Sequence, residues 1–274
     1  VKVKASMAID LFYTGGKGCG HDSPEPTIEA IDLKPWLAMI TKIAKDLFDN
    51  KLKPTDLHKG LIDNTYKELE TAAKAGFGAK FTTDGTGIKI QNHLFRFSVA
   101  KTYQQLEQMH SFLVDEEGKL VSYAKFEKKV MEVHETFNRT YLQSEHQTVR
   151  RSSQAAKQWA EFEADKDLFP NLEYIIVGDD RVREEHEKLG GIILPLEDVF
   201  WDENYPPNGY RCRCGARPTD KKANGRRPKV DIHPAFKGNV GKTGVVFNEK
   251  GHPYFTMDKA AKKAYQDYLD GEGK

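Results

Sequence analysis

Three side chains in the second half of the sequence have the chemistry of metal ligands. His186 carries an imidazole, and Cys212 and Cys214 carry thiols one residue apart in a turn. Zinc is commonly bound by these two ligand types, so a zinc site built from the three residues is one interpretation. In the other, the cysteines are reduced and buried as small apolar side chains, with His186 hydrogen-bonded to a carboxylate such as Asp180.

The same residue types also occur in catalytic sites. A cysteine beside a histidine and an aspartate can act as nucleophile, base and orienting group. A nucleophilic cysteine needs no second cysteine two positions away, however, so we predict no catalytic residues and no enzymatic activity. A Cys/His-dependent enzyme or toxin is the alternative.

The candidate ligands fall in a stretch, residues 169–218, that contains several distinct local signals. Its apolar, β-branched run at 172–177 predicts a buried strand. Asp179 and Asp180 then open a turn, where an aspartate can cap a following helix at roughly residues 181–189. Strand, turn and helix would therefore position the histidine, and a proline-rich turn would position the cysteines.

The order of these motifs closely resembles the Mu F-like minor head proteins of tailed bacteriophages, also called the phage head morphogenesis family. The resemblance rests on DDRVREEHEKLGG, an acidic spacer ending in FW, and PPNGYRCRC. Together with less specific similarities, it covers most of residues 54–256. The motif residues are Asp179, Asp180, Arg181, His186, Gly190, Trp201, Pro206, Pro207, Cys212, Arg213 and Cys214.

The resemblance implies a minor head (capsid) protein of a tailed phage or prophage that acts in head assembly near the portal. Its implied partners are the portal protein, the major capsid protein and packaged double-stranded DNA. Its implied location is the virion, in the head interior or at the portal vertex, after assembly in the host bacterial cytoplasm.

The resemblance also bears on the metal. Many relatives carry a fuller zinc set, with a Cys-x-x-Cys in the turn and a histidine before the Cys-x-Cys. In this chain Arg183 takes the place of the first of those cysteines, His186 the second, and Gly209 the later histidine. We therefore expect no cofactor, with zinc at His186, Cys212 and Cys214 as the alternative.

Composition limits the remaining functions. The chain has 274 residues, with 42 basic and 41 acidic side chains, so its net charge of +1 gives no overall attraction to nucleic acid or to a membrane. No apolar run approaches the roughly 20 residues that span a bilayer, and the first 16 residues lack a secretory cleavage site. Three cysteines do not make a disulfide framework, so cytoplasmic assembly without membrane contact is expected.

A local basic patch follows the motif. Six of the thirteen residues from 217 to 229 are basic, and Asp220 alone opposes them: Arg217, Lys221, Lys222, Arg226, Arg227 and Lys229. This composition predicts a mobile basic linker. It is either a solvated loop or a nucleic-acid contact that binds DNA phosphates without reading sequence.

Apolar residues recur at helical spacing over much of the chain. The helices predicted in this way span residues 32–52, 57–75, 93–112 and, near the C-terminus, 257–269. A small loop is expected at residues 85–87, and a short strand at 245–247.

The longest periodic run predicts one helix of about forty residues, with a possible kink. Its apolar stripe consists of Phe126, Val130, Val133, Phe137 and Tyr141 and continues less strictly through Val149, Ala156 and Trp159. Arg150 and Arg151 lie on or near its polar side, as solvated surface or as contacts to phosphate or a neighbouring subunit.

The predicted fold class is α+β, with a mainly helical N-terminal region, a long connecting helix and a small C-terminal α+β module. The predicted units are a flexible arm at 1–30, a helical region at 31–165, the Mu F-like module at 166–218, and the basic linker with the C-terminal tail at 219–274. Cys19 and His21 in the arm are two further candidate metal donors.

Overall fold

The computed structural model describes residues 2–14, 31–180 and 182–272. Longer helices occupy the first part: α1 Lys2–Thr14, α2 Lys34–Phe48, α3 Lys59–Phe77, α4 Gly85–Ser111, α5 Tyr123–Glu135 and α6 Leu142–Ala164. Shorter elements and a final helix follow: β1 Asn171–Ile175, α7 Glu184–Glu187, β2 Ile193–Pro195, α8 Phe200–Asn204, β3 Gly215–Thr219, α9 Val240–Thr243 and α10 Lys259–Glu272. The fold is α+β, as the sequence predicts.

The predicted long helix is confirmed. A π-helical turn at Thr136–Tyr141 joins α5 to α6, so that the chain stays helical from residue 123 to residue 164. The two halves have different neighbours, because α5 packs mainly against α2 and α4, whereas α6 packs mainly against α3 and α9.

Helix α4 begins earlier than the sequence predicts. Asp84 caps it, because its carboxylate accepts hydrogen bonds from the backbone N–H groups of Thr86 and Gly87 at 2.8 and 3.1 Å. The loop expected at residues 85–87 is therefore the first turn of the helix. Gly87 fits there because a Cβ would lie only 2.1 Å from the Phe81 carbonyl oxygen.

Residues 2–14 form α1, where the sequence predicts a flexible arm. Ile9 and Tyr13, one helical turn apart, are both buried against the rest of the protein. Packing of this face against the rest of the protein stabilises the helix, and local composition does not show that packing. Cys19 and His21 lie outside the described residues.

The sheet is antiparallel, with strand order β2-β1-β3. Its central strand corresponds to the predicted strand, and Leu172 pairs with Leu194 on one side and Pro218 on the other. Leu172 and Tyr174 face the interior, and one continuous apolar cluster includes them together with side chains from α1 to α10. The helical region and the sheet therefore share a core.

Two further predictions meet different outcomes. The C-terminal helix is confirmed as α10, whereas residues 245–247 follow the left-handed Gly244 as bends and turns instead of a strand. Within the described ranges, no helix is long and apolar enough to cross a membrane.

Candidate metal centre

The structure brings the three predicted metal donors together. The Nδ1 atom of His186 lies 3.6 Å from Sγ of Cys212 and 3.7 Å from Sγ of Cys214. All three donor atoms lie within 4.8 Å of one another. His186 and Cys212 are buried, and Cys214 is half-buried. The imidazole therefore faces two sulfurs, where the sequence suggests a carboxylate such as Asp180.

The long helix holds the turn that carries the cysteines. The Arg151 guanidinium donates hydrogen bonds to the carbonyl oxygens of Arg211 at 2.7 Å and Cys212 at 3.1 Å. The Thr148 hydroxyl accepts one from the backbone N–H of Arg211 at 3.3 Å. Arg211 has φ of 55°, a left-handed conformation that is unfavourable for a side chain of this size. Helix α6 thus stabilises a strained turn, which gives Arg151 a structural role.

The acidic turn is tied to the cysteine turn by an ion pair. The Arg213 guanidinium donates two hydrogen bonds to the Asp179 carboxylate, at 2.5 and 2.6 Å. The sequence assigns an aspartate here to a helix cap, but residue 183 is the N-cap of α7, and it makes no side-chain cap. Asp179 therefore joins two parts of the motif.

Arg183 lies beside the site on the α7 side. Its guanidinium donates a hydrogen bond to the Tyr210 carbonyl oxygen at 2.7 Å. It also fills the space next to Gly209, where a Cβ would come within 3.1 Å of a guanidinium nitrogen. The arginine thus spans the two positions at which the resemblance places further ligands.

The two thiols have opposite pKa shifts. The pKa of Cys212 is held well below its usual range, chiefly because the Cys214 thiol hydrogen-bonds to its sulfur, with help from His186. The pKa of Cys214 is raised, because it shares its proton with Cys212 and is also buried. The two thiols therefore titrate as a coupled pair that shares a proton.

The aromatic residues of the motif pack over β1. Trp201 is fully buried, donates from Nε1 to the Pro195 carbonyl oxygen at 3.0 Å, and stacks with Tyr174 at a ring-centroid distance of 6.4 Å. Tyr205 donates to the Ala155 carbonyl oxygen at 2.9 Å, which attaches this cap to α6.

Four other motif residues have local roles or lie outside the described residues. The Pro206–Pro207 peptide bond is cis. At Gly190, a Cβ would lie 2.9 Å from the Ile176 side chain, so a larger residue would push against the end of β1. Arg181 lies outside the described residues.

Cavities lie on two sides of the donors. One, of about 590 Å³, is lined by His186 and Tyr210 together with Leu11 and Phe12 of α1. The other, of about 490 Å³, is lined by Cys212 and Cys214. Solvent-sized molecules can therefore approach the cluster, although the donor side chains themselves are largely buried.

Much of the predicted nucleic-acid patch is engaged within the protein. Arg217 and Lys221 both pair with Glu173, at 2.9 and 3.3 Å, and Arg227 pairs with Asp198. The segment is therefore attached to the sheet, where the sequence predicts a mobile linker.

The attachment continues along β2. Arg226 donates to the carbonyl oxygens of Gly190 and Lys188, and Asn224 exchanges hydrogen bonds with the backbone of Ile193. Lys222 and Lys229 are exposed, with no ion-pair partner in the part of the chain that the structure describes.

A buried polar network that was not predicted from the sequence lies next to the π-helical turn. Glu145 is fully buried and accepts hydrogen bonds from Tyr13, Tyr254 and Lys101. Tyr210, two residues before Cys212, joins this network through the Tyr13 hydroxyl at 2.8 Å. The sequence does carry a signal for this network, because Glu145 is an acid at a position where the apolar stripe of the long helix would continue.

The part of the chain that carries the motif is similar to known proteins. Residues 117–217 match the family described as Phage Mu protein F like protein. The putative capsid assembly protein F of Escherichia phage Mu is 39% identical over 67 residues, which are 24% of this chain and 15% of that protein. The Mu-like prophage FluMu F protein of Haemophilus influenzae is 34% identical over 76 residues, 28% of this chain and 17% of that protein.

The chain covers less than a fifth of the length of either relative. No solved structure matches it. The family match begins in the turn before α5 and ends in β3, so it contains the long helix, the acidic turn and all three donor residues. This part of the chain, residues 117–217, is similar to the Mu F-like family.

Proposed function

We propose that this protein is a capsid-assembly protein of a tailed phage or prophage and acts as a minor head component. The observation that carries the proposal is the Mu F-like match over residues 117–217, together with a relative named as a putative capsid assembly protein. The geometry supports a structural role. Cys212 is only 3% exposed, and its turn is fixed by α6, which favours a rigid module over a nucleophile facing substrate.

The proposed partners are the portal protein and the major capsid protein, and the proposed location is the head interior or the portal vertex, after assembly in the host cytoplasm. Contact with packaged DNA is the finer part of the proposal. Lys222 and Lys229 support it, because their ammonium groups are exposed and free of acidic partners in the described segments. A phosphate backbone attracts such charges without sequence specificity.

The test is the composition of particles. Procapsids and mature heads from the phage or induced prophage that encodes this chain are purified and analysed by mass spectrometry and immunoblotting. We expect the chain in procapsids, with crosslinks to portal or major capsid protein. Its absence from both kinds of particle would overturn the proposal.

A matched pair of variants addresses the module itself. Arg213→Ala breaks the bidentate contact with Asp179, and we expect it to reduce incorporation into heads. Lys263→Ala removes a surface cation that pairs with Asp267 on α10, and incorporation should be unchanged. Thermal melts of both variants separate loss of folding from loss of assembly.

A further inference from the structure

The distances from the imidazole nitrogen to the two sulfurs are those of a tetrahedral metal site. With Zn–S bonds of about 2.3 Å and a Zn–N bond of about 2.0–2.1 Å, an N and an S ligand at the tetrahedral angle are about 3.5 Å apart. The observed separations between His186 Nδ1 and the two sulfurs are 3.6 and 3.7 Å. Both nitrogen-to-sulfur distances therefore match those expected around one bound ion.

A hydrogen bond explains this arrangement less well. A single imidazole nitrogen with one lone pair or one proton forms a good hydrogen bond with one partner at a time. Here Nδ1 is nearly equidistant from Cys212 and Cys214, and both contacts are long. Two equal sulfur contacts to one nitrogen are the edges expected when all three atoms point at a common centre.

The surroundings of the sulfurs also suit a metal thiolate. The backbone N–H of Asn208 donates a hydrogen bond to Cys212, and Tyr174 hydrogen-bonds to Cys214. Such donors around a thiolate orient it and support metal binding. Since Arg151 fixes the turn backbone, the donors are positioned before any ion arrives.

We propose that His186, Cys212 and Cys214 bind one zinc ion, with a water molecule as the fourth ligand. No fourth histidine, cysteine or carboxylate joins the group within the described residues. Arg183 fills the neighbouring space by Gly209, while the cavity lined by both cysteines leaves room for water. The proposal rests on this geometry and does not depend on a role in capsid assembly.

The first test is metal content and coordination of the full chain. The protein is purified without chelator under a phosphine reductant, thiol titration confirms that the cysteines are reduced, and zinc is measured by mass spectrometry. We expect about one zinc per chain, and X-ray absorption should show two sulfurs at about 2.3 Å and nitrogen or oxygen at about 2.0–2.1 Å. Sub-stoichiometric zinc, or a shell of oxygens alone, would overturn the proposal.

Variants then assign the ligands. Cys212→Ser, Cys214→Ser and His186→Ala should each weaken zinc binding at least tenfold, whereas Cys19→Ser, the matched control, should keep about one zinc per chain. Zinc retained by Cys212→Ser/Cys214→Ser would refute the donor set, and loss of zinc from Cys19→Ser would refute water as the fourth ligand.

The melting temperature with and without zinc provides a second test when a variant folds poorly. After chelation, zinc at about 100 times its dissociation constant should raise the melting temperature of the wild-type chain by roughly 5–10 °C. The melting temperature of Cys212→Ser should not change on adding zinc. An equal rise in both would contradict binding at this site. If Cys212→Ser does not fold, the absorption spectrum of the wild-type protein decides.

Discussion

The Nζ atom of Lys101 lies 2.6 Å from Oε2 of Glu145, and neither side chain has any exposed surface. The other carboxylate oxygen accepts hydrogen bonds from Tyr13 at 2.5 Å and Tyr254 at 3.0 Å. This ion pair therefore sits where α1, α4, α6 and the C-terminal tail meet. Its partners come from positions far apart in sequence, so it fixes how these elements dock.

Glu145→Ala should strongly destabilise the protein. It leaves the Lys101 ammonium buried without its counter-charge, and breaking a buried pair in this way costs about 3–5 kcal/mol. Urea denaturation followed by circular dichroism measures the free energy of unfolding. The double variant Lys101→Met/Glu145→Leu should lose less free energy of unfolding than Lys101→Met and Glu145→Leu lose together, because no isolated charge remains. Strict additivity would show that the two side chains do not interact.

Gly76→Ala should force α3 and α6 apart. A Cβ at Gly76 would lie 2.0 Å from the carbonyl oxygen of Arg150, and backbone on neither helix can easily retreat. Overpacking of this kind typically costs about 1–3 kcal/mol. Gly85→Ala is the control, because a Cβ there meets nothing within 4 Å. Chemical denaturation should give a lower stability for the first variant and an unchanged or slightly higher one for the second.

Stability should fall in mild acid because of His93. Burial lowers the pKa of His93 to about 4, with Glu249 and Arg96 as its charged neighbours. The unfolded chain takes up this proton near pH 6.5, and the folded chain does so only near pH 4. The contribution is therefore present above pH 6.5 and lost as the pH falls towards 4, by about 3 kcal/mol for this residue.

The measurement is the free energy of unfolding as a function of pH. His93→Gln keeps an acceptor for the Phe247 N–H, which His93 Nε2 now accepts at 3.2 Å, but has no proton to gain. Its stability should decline less between pH 6.5 and pH 4. His252, whose pKa burial also lowers, would still contribute a slope in the variant. Identical slopes in the two proteins would contradict the assignment to His93.

The proposed binding to duplex DNA should depend on Lys222 and Lys229. Lys222→Glu/Lys229→Glu should weaken binding and reduce the slope of log affinity against log salt by about 2, if each lysine contacts one phosphate. Fluorescence anisotropy at several salt concentrations measures both. Lys125→Glu/Lys128→Glu on α5 makes the same change in net charge at exposed positions, and should have little effect. Equal losses in the two variants would remove the patch from consideration.

Arg226 and Arg227 are poorer choices for that experiment. Arg227→Glu would place a carboxylate against Asp198, and Arg226→Glu would lose hydrogen bonds to the α7–β2 turn. Either change would disturb the fold as well as the charge. The difference between these arginines and the exposed Lys222 and Lys229 becomes visible only in three dimensions.

The parts of the fold that depend on local periodicity could be predicted. Trp36, Ile40 and Leu47 recur at helical spacing and are buried in α2, and the long helix follows from the same kind of stripe. Strand β3 was missed because its sequence, GARPT, contains glycine and proline, which are poor strand formers. Helix α1 was missed because its stability comes from Tyr13 reaching Glu145, 132 residues away.

In the site, too, local features could be predicted and contacts between distant residues could not. Residue type and spacing were enough to single out His186 and the two cysteines as candidate donors, and the structure brings them together. The support given by Arg151 was not predictable, since on a helical wheel it belongs to a polar face, and its partners lie about 60 residues further on. The pairing of the basic segment with Glu173 and Asp198 was hidden for the same reason.

The π-helical turn at Thr136–Tyr141 determines the rotation of α6 about the helix axis relative to α5. One surplus residue in a helix of 3.6 residues per turn rotates everything beyond it by about 100°. If the same residues continued as regular α-helix, Glu145 would turn away from Lys101 and Arg151 would turn away from the cysteine turn. The π-helical turn absorbs this residue. One side of the long helix can therefore contact the helical bundle while another side contacts the cysteine turn.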